Sequence, residues 1–152
     1  CIEIYGYDDP RAREYAGSWG VFMQLTNILR DIAEDAERDR IYLPLDDLAR
    51  YGITEDDVKS GKELLKHPGW KPFVEEYIER CDRYREKAFK LFGLLDRSSR
   101  YSPAAMATFY QSILKKIQRR GGDVFTERIQ LSKAEKMVFA AYVYVRYRFL
   151  AL

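Results

Sequence analysis

The sequence predicts an all-α protein, and three observations support this. Apolar residues recur at helical spacing through most of the chain, and capping residues, prolines and glycines punctuate those stretches where helices begin and end. No alternating run of apolar and polar residues is long enough to indicate a strand. At 152 residues the chain has the length of one domain, which buries roughly 70% of its unfolded surface on folding.

The first long helix follows from a local start signal. Asp9 is a capping residue and Pro10 occupies the first helical position, where proline is favoured. Helical spacing continues from there to about Arg38, and Pro44 disfavours helix in the residue before it. Similar signals predict two short helices, one over 46–50 that closes at Gly52 and one after Thr54 that closes at Gly61, followed by a loop at "KHPGWKP". Three long helices are predicted after this loop. They run over 73–95, from Ser102-Pro103 to Gly121-Gly122, and from the capping box at 132–135 to the end.

Composition narrows the classes of function. The net charge is +2, from 26 basic and 24 acidic residues, and without a basic stripe this balance does not favour nucleic acid. Two cysteines, Cys1 and Cys81, are too few for a disulfide framework and fit a reducing compartment, which predicts a cytoplasmic location. The longest apolar tract, over 137–152, contains Arg146 and Arg148 and is too short to span a bilayer.

Polar residues form a single stripe along the first long helix. At about 100° per residue, the stripe is about 80° wide and consists of Gly17, Gly20, Gln24, Asn27, Asp31 and Asp35. The rest of this helix is largely apolar, the reverse of the balance on a surface helix. We therefore expect the helix to be buried, with the stripe facing a cavity and the glycines leaving room for a ligand.

The carboxylates of this stripe predict a divalent metal. Asp31 has no basic residue three or four positions away, whereas Asp35 has Arg38, and a partly buried carboxylate requires a cation. Two carboxylates one turn apart supply oxygen ligands to Mg²⁺, which completes its octahedron with water and phosphate oxygens. Gln24 and Asn27 can then hydrogen-bond phosphate or metal-bound water. The alternative is a distant Arg or Lys that neutralises Asp31 across a helix interface.

The stretch "QLTNILRDIAEDAERDRIYLP", over 24–44, resembles the second aspartate-rich motif of the squalene and phytoene synthase family, the head-to-head prenyltransferases. The preceding "YGYDDPRAREYAGSWG", the following "LPLDDLARYGITEDDV" and the later "FYQSILKKIQRRGGDVFTERIQLSKAEK" are also similar to this family, in the family's order. The resemblance implies an isoprenoid-synthase-type helical bundle whose helices enclose a long apolar cavity for prenyl tails.

The resemblance also implies roles for individual residues. Asp31 and Asp35 match the carboxylates that bind Mg²⁺, with Mn²⁺ as an alternative ion, and the metal in turn holds the substrate diphosphate. Tyr110 matches a catalytic tyrosine that faces the reacting chains, and Arg128 a catalytic arginine directed toward diphosphate. The residues that match positions at or near the diphosphate are Gln24, Asn27, Arg30, Arg40 and Tyr42.

The chemistry implied by the family is ionisation of a prenyl diphosphate. The allylic cation is attacked by the double bond of a second prenyl diphosphate, which forms a cyclopropylcarbinyl diphosphate. A second ionisation with rearrangement yields a squalene-, dehydrosqualene- or phytoene-type product of isoprenoid and carotenoid biosynthesis. The sequence leaves open whether the substrates are C15 or C20. It also leaves open whether NADPH is required, as it is for the reductive second step of a squalene synthase.

The chain departs from the family pattern in one respect. The family has two aspartate-rich motifs on facing helices, the first of them upstream, and this chain offers no second candidate. We therefore expect residues 1–152 to be a single partial domain, the C-terminal half of a synthase, inactive or poorly active alone. Its partners would be prenyl diphosphates, the missing N-terminal half or a second copy, and a membrane surface contacted peripherally by the Tyr- and Arg-rich end.

Two other functions fit the same residues. The chain could be a non-catalytic helical binding or assembly module derived from the same scaffold. It could also be a plain helical interaction domain whose acidic stripe is neutralised by basic residues of another chain. Replacing Asp31 with Asn separates these functions, because a metal site loses Mg²⁺ binding whereas a charge-bridged helix loses stability or its partner.

Overall fold

The computed structural model describes residues 2–149, apart from the side chains of residues 147 and 148. Over these residues the fold is helical and no strand forms, which confirms the all-α prediction. The α-helices are α1 (Ile2–Tyr5), α2 (Arg11–Ala36), α3 (Leu45–Ala49), α4 (Glu55–Lys59), α5 (Trp70–Leu91), α6 (Tyr101–Arg119) and α7 (Lys133–Arg148), and a 3-10 helix covers Gly61–Lys66.

Most predicted helix starts are confirmed because they depend on local capping. The carboxylate of Asp9 accepts a hydrogen bond from the backbone N–H of Arg11 at 2.9 Å, at the start of α2. Thr54 and Ser132 each form a complete capping box, at α4 and α7. The predicted continuation of the last helix to the end of the chain falls partly on residues 150–152, outside the described residues.

The predicted loop at "KHPGWKP" is wrong in its second half. Helix α5 already begins at Trp70, so Pro72 falls in its first turn. Proline is tolerated there, because the first N–H groups of a helix have no intrahelical partner. The 3-10 helix before this loop and the four-residue helix α1 were not predicted either.

The chain divides into two compact units, and the first comprises Cys1–Gln24, Cys81–Ser112 and Leu131–Leu152. Its described core is an apolar cluster of Ala12, Trp19, Ala88, Leu91, Phe92, Leu95, Ala104, Ala107 and Val143. The rings of Trp19 and Phe92 meet edge to face with their centroids 6.3 Å apart. This arrangement is one of the favoured geometries for an aromatic pair.

The second unit comprises Leu25–Arg80 and Ile113–Gln130 and is built around aromatic side chains. The ring of Trp70 stacks on Phe73 at 5.7 Å and meets Phe125 at 5.8 Å. Its indole N–H donates to the carbonyl oxygen of Gly122 at 3.3 Å, which satisfies a buried polar group. These contacts pack the start of α5 against the turn that follows α6.

A charged network within the second unit ties α3 to α5. Asp47 accepts hydrogen bonds from Arg80 at 2.6 Å and from Arg50 at 2.9 Å, and Arg50 also reaches Glu76 at 2.7 Å. The Tyr51 hydroxyl donates to Glu76. The bond from Arg80 lowers the pKa of Asp47, although partial burial opposes this shift, and the bond from Tyr51 lowers the pKa of Glu76. The network therefore stabilises both carboxylates in their ionised form.

Among the described helices, none is both long enough and apolar enough to cross a membrane. The assignment of residues 1–152 to a single partial domain stays a prediction.

Candidate functional site

The predicted polar stripe lies on α2, opposite the buried face of that helix. The buried side chains are Ala12, Ser18, Trp19, Phe22, Thr26, Leu29 and Ile32. In the stripe, Gly17, Gly20 and Gln24 are exposed and Asn27, Asp31 and Asp35 are half-buried.

The prediction that α2 is buried with its stripe facing a cavity is therefore wrong for the described residues. The apolar side chains that flank the stripe, such as Val21, are only partly covered. A Cβ atom added at either Gly17 or Gly20 would meet no atom within 4 Å. The glycines thus leave open space, as predicted, but the stripe is not enclosed by these residues.

Asp31 is held by its neighbour in the chain. The guanidinium of Arg30 donates two hydrogen bonds to this carboxylate, from Nε to Oδ1 at 2.7 Å and from Nη2 to Oδ2 at 2.5 Å. The prediction that Asp31 lacks a local counter-charge is wrong, because it considered only residues three and four positions away. The Arg30 side chain is long enough to reach the adjacent carboxylate directly.

A second arginine approaches Asp31 from the segment before α7. Nη2 of Arg128 lies 4.0 Å from Oδ1 of Asp31, and Nε of Arg128 lies 2.9 Å from Oε1 of Glu34. This is the distant basic residue left open above as an alternative. The sequence analysis did not single out Glu34, which lies one turn after Asp31 on α2. The structure thus gathers Arg30, Asp31, Glu34 and Arg128 at one place.

Local backbone geometry brings Arg40 back toward Asp35. Helix α2 ends in a Schellman motif, in which the Arg40 N–H donates to the Asp35 carbonyl at 2.9 Å and the Asp39 N–H to the Ala36 carbonyl at 3.0 Å. Asp39 takes the left-handed conformation, with φ of 57°, and forms an ion pair with Lys59 at 2.6 Å. The sequence predicts the end of the helix here, whereas the type of reversal was not predicted.

Asp35, Arg40 and Tyr42 line one small cleft with a volume of about 10 Å³. Its apolar walls are Ile28, Ile32, Ile41, Leu43 and Val58. The structure therefore brings together the second carboxylate and the two residues of the "RIYLP" tail, as the resemblance implies. The cleft is smaller than the roughly 300–1,000 Å³ of a typical ligand pocket, and its volume does not suit a prenyl tail. Among the described residues, no ion pair joins Asp35 to Arg38.

The remaining predicted residues lie on α2 and α6. Asn27 is half-buried one turn before Asp31, and Gln24 is exposed one turn earlier. Tyr110 is half-buried on α6 and belongs to the first unit, whereas the residues around Asp31 and Asp35 belong to the second.

The donor set at this site fits a Mg²⁺ ion. Asp31 and Asp35 present carboxylate oxygens from successive turns of α2, and the Arg30 guanidinium occupies both oxygens of Asp31. Within residues 2–149, no group of three or more acidic, His or Cys side chains is placed to hold a metal. An ion would therefore also need water or phosphate ligands, which is the usual coordination of Mg²⁺ in proteins.

The family model "Squalene/phytoene synthase" matches residues 1–135 of this chain. The chain belongs to the squalene/phytoene synthase family, a family of prenyltransferases. It is 41% identical over 127 residues to phytoene synthase 2, chloroplastic, of Zea mays, and 40% identical over 127 residues to the protein of the same name from Oryza sativa subsp. japonica. Each alignment covers 84% of this chain and 31% of the relative.

Solved structures give the same result for the fold. A dehydrosqualene synthase crystallised in complex with ligand aligns with a TM-score of 0.74 at 27% identity, over 85% of this chain and 44% of that one. A squalene synthase, HpnC from Alicyclobacillus acidocaldarius, aligns with a TM-score of 0.72 at 22% identity, over 79% and 44%. The isoprenoid-synthase-type helical fold is confirmed. The chain spans about a third of the length of the plant relatives.

Proposed function

We propose that this chain forms part of a synthase that condenses two prenyl diphosphates head to head, and that the stripe on α2 binds the diphosphate through Mg²⁺. One observation carries the proposal: Asp31 lies between the guanidinium groups of Arg30 and Arg128, on the same helix as Asp35. Carboxylates for a metal and arginines for phosphate thus occur at one place. Family membership supports the reaction type.

The proposed roles follow from the chemistry of each side chain. Asp31 and Asp35 would hold the Mg²⁺, which supplies positive charge to the leaving diphosphate. Arg30 and Arg128 would add charge-assisted hydrogen bonds to phosphate oxygens, which stabilise the negative charge as the carbon–oxygen bond breaks. The other proposed contacts are Gln24, Asn27, Arg40 and Tyr42 at the diphosphate, and Tyr110 beside the reacting chains.

With the diphosphate held in this way, ionisation leaves an allylic cation that the double bond of a second prenyl diphosphate attacks. Loss of a proton would close the ring to a cyclopropylcarbinyl diphosphate, which would lose its diphosphate and rearrange to a C30 or C40 cation. Loss of a second proton would give a phytoene- or dehydrosqualene-type product, whereas a squalene-type product would require hydride from NADPH. Assays with C15 and C20 diphosphates, with and without NADPH, identify the substrate length and the need for a reductant.

The central test is binding of the preformed Mg²⁺–pyrophosphate complex, followed by calorimetry. We expect Asp31→Asn and Asp35→Asn each to abolish most of the binding. Replacing the exposed Asp8 with Asn removes the same charge from a site that forms no ion pair among the described residues, and should leave binding unchanged. Equal affinity in all four proteins would contradict the proposal.

The isolated chain of 152 residues is proposed to bind the complex weakly and to turn over poorly. The family pattern supports this, because its other aspartate-rich motif has no candidate in this sequence. Substantial formation of phytoene, squalene or the cyclopropyl intermediate by the pure chain would overturn this part of the proposal.

A helical binding or assembly module is the second candidate function. It is favoured by the ion pairs that already neutralise Asp31 within the chain. In that case Asp31→Asn would lower the free energy of unfolding without changing affinity for Mg²⁺ or pyrophosphate. Thermal unfolding measured beside the calorimetry distinguishes the two functions.

Peripheral membrane contact in the cytoplasm is a further part of the proposal. Prenyl substrates are lipids, and α7 exposes Tyr142 and Tyr144, with Phe149 just beyond its last turn. Aromatic side chains of this kind partition to membrane interfaces. Co-sedimentation with vesicles tests the contact, and unchanged sedimentation of a Phe149→Ser variant would contradict it.

A further inference from the structure

The pairing of Arg30 with Asp31 conflicts with the metal role of that carboxylate. Arg30 binds both carboxylate oxygens, and the two side chains are only 19% and 22% exposed. Bidentate pairs of this kind are among the stronger hydrogen-bonded ion pairs, and partial burial reduces their screening by water. A Mg²⁺ ion on the same carboxylate would be repelled by the guanidinium. Metal binding at Asp31 is therefore opposed while Arg30 stays in place.

The neighbouring groups show which residues can change partners. Arg30 and Asp31 are adjacent on α2, so rotation of the Arg30 side chain is enough to separate them without moving the backbone. Arg128 is held by Glu34 at 2.9 Å and stays beside Asp31 as a second cation. Asp35 forms no ion pair within the part of the chain that the structure describes, although Arg40 lines the same cleft.

We propose that Arg30 is an internal counter-ion of Asp31 and that it transfers to a phosphate oxygen when Mg²⁺ and diphosphate bind together. The inference rests on the proposed function of the same site and deepens it. Diphosphate provides the acceptor that Arg30 needs in order to leave, and the metal takes over its place at Asp31. The two ligands must then bind cooperatively, each raising the affinity of the site for the other.

This exchange serves the chemistry of the site. Metal alone would have to displace the Arg30 guanidinium from both oxygens of Asp31, and diphosphate alone would approach an acidic helix face. Only the pair of ligands satisfies Asp31, Asp35 and Arg30 at once. These three charged side chains would therefore all be paired with ligands only when a metal-bound diphosphate occupies the site.

The test compares affinity for Mn²⁺ alone, read from the electron spin resonance of the free ion, with affinity for the preformed Mn²⁺–pyrophosphate complex, read by calorimetry. In Arg30→Gln we expect Mn²⁺ alone to bind about tenfold more tightly, within the usual range of coupling between sites. Affinity for the complex should fall in the same variant, because a phosphate contact is lost. Arg30→Lys keeps the charge without the planar fork and should lie between the two proteins.

Arg38→Gln is the matched control. Arg38 is an exposed arginine that follows α2 and forms no ion pair among the described residues, so its removal changes the net charge equally. A similar gain in Mn²⁺ affinity in Arg38→Gln would overturn the exchange, because a general effect of charge would explain it. Unchanged Mn²⁺ affinity in Arg30→Gln would also overturn the exchange. The proposed function would still hold in that case if Asp31→Asn weakened binding of the Mn²⁺–pyrophosphate complex. Failure of the unmodified chain to bind the complex would overturn both.

Discussion

Arg128 lies 2.9 Å from Glu34, measured from Nε to Oε1, and this ion pair joins the segment before α7 to the face of α2 that carries Asp31. The same guanidinium reaches to 4.0 Å from Asp31 with its Nη2 atom. We therefore expect Glu34 to act on the proposed site through Arg128, as a positioning residue. Neither partner is deeply buried, so the pair matters for orientation more than for stability.

Glu34→Gln should weaken binding of the Mg²⁺–pyrophosphate complex, but by no more than Arg128→Gln, which also removes a proposed phosphate contact. Because both changes disrupt one pair, the double variant should be no weaker than Arg128→Gln alone, a non-additive result typical of residues in contact. The free energy of unfolding should fall by only about 0.2–1 kcal/mol. Glu37→Gln, an exposed change one turn further on, is the control, and additive losses of affinity would refute the coupling.

Acid should weaken the network between α3 and α5. The pKa values of Asp47 and Glu76 are both lowered in the folded chain, so their stabilisation is fully present above the unfolded pKa values, about 3.9 and 4.3. It is lost as the pH falls from there through the folded values. The free energy of unfolding, measured with urea, should therefore fall less between pH 6 and pH 3 in Asp47→Asn than in the unmodified chain.

Asp46→Asn is the control for this acid dependence, because Asp46 is exposed and forms no ion pair among the described residues. At neutral pH, Asp47→Asn should lower the free energy of unfolding by about 1–2 kcal/mol. Arg50 and Arg80 each lose one charged partner and keep Glu76. If the free energy of unfolding fell with pH at the same slope in the unmodified chain, Asp47→Asn and Asp46→Asn, the network would not account for the acid loss.

Gly122→Ala should destabilise the second unit more than Gly121→Ala. Both glycines take positive φ, of 84° and 62°, so both substitutions incur the left-handed cost of about 1–2 kcal/mol. A Cβ at Gly122 would also lie 2.9 Å from Val74 Cγ2 and 3.2 Å from Trp70 Nε1. A Cβ at Gly121 would meet no atom within 4 Å. Chemical denaturation checks this order. Equal losses in the free energy of unfolding would show that Trp70 and Val74 move aside at little cost.

Gly20→Ala should separate stability from ligand binding. An added Cβ meets no atom within 4 Å, and alanine is favoured over glycine within a helix by about 1 kcal/mol. We expect a higher melting temperature together with weaker binding of prenyl diphosphates, because the glycine leaves room for the ligand. Ala16→Gly tests the helix effect in the opposite direction. Higher stability with unchanged substrate affinity would show that this clearance has no part in binding.

The chain should self-associate through α7. That helix exposes Met137 and Val138, which are 73% and 65% accessible, and Phe149 follows it at 69%. Contiguous exposed apolar surface of this kind marks interaction sites. Light scattering should show a mass that rises with concentration, and Val138→Lys should reduce this rise more than Ser98→Lys, which adds the same charge in an exposed turn. A monodisperse monomer that binds no apolar dye would contradict the prediction.

Features set by nearby residues were predictable. Capping by Asp9, Thr54 and Ser132 involves partners two or three positions away, so the helix starts follow from short stretches of sequence. The early start of α5 at Trp70 was missed, because the prolines and glycine around it suggested a loop. Its indole packs on Phe73 and Phe125 and bonds to Gly122, and these contacts favour extending the helix.

The sequence by itself determined the all-α class, the family and the alignment of Asp31 with Asp35, because helical periodicity and capping act over a few residues. Only the tertiary structure decided how those carboxylates are neutralised. Arg128 reaches Asp31 and Glu34 from a segment distant in the chain, and the Schellman reversal at Asp39 brings Arg40 and Tyr42 to the cleft of Asp35. Charges interact through space, so the partner of a carboxylate depends on which segments the fold places beside it.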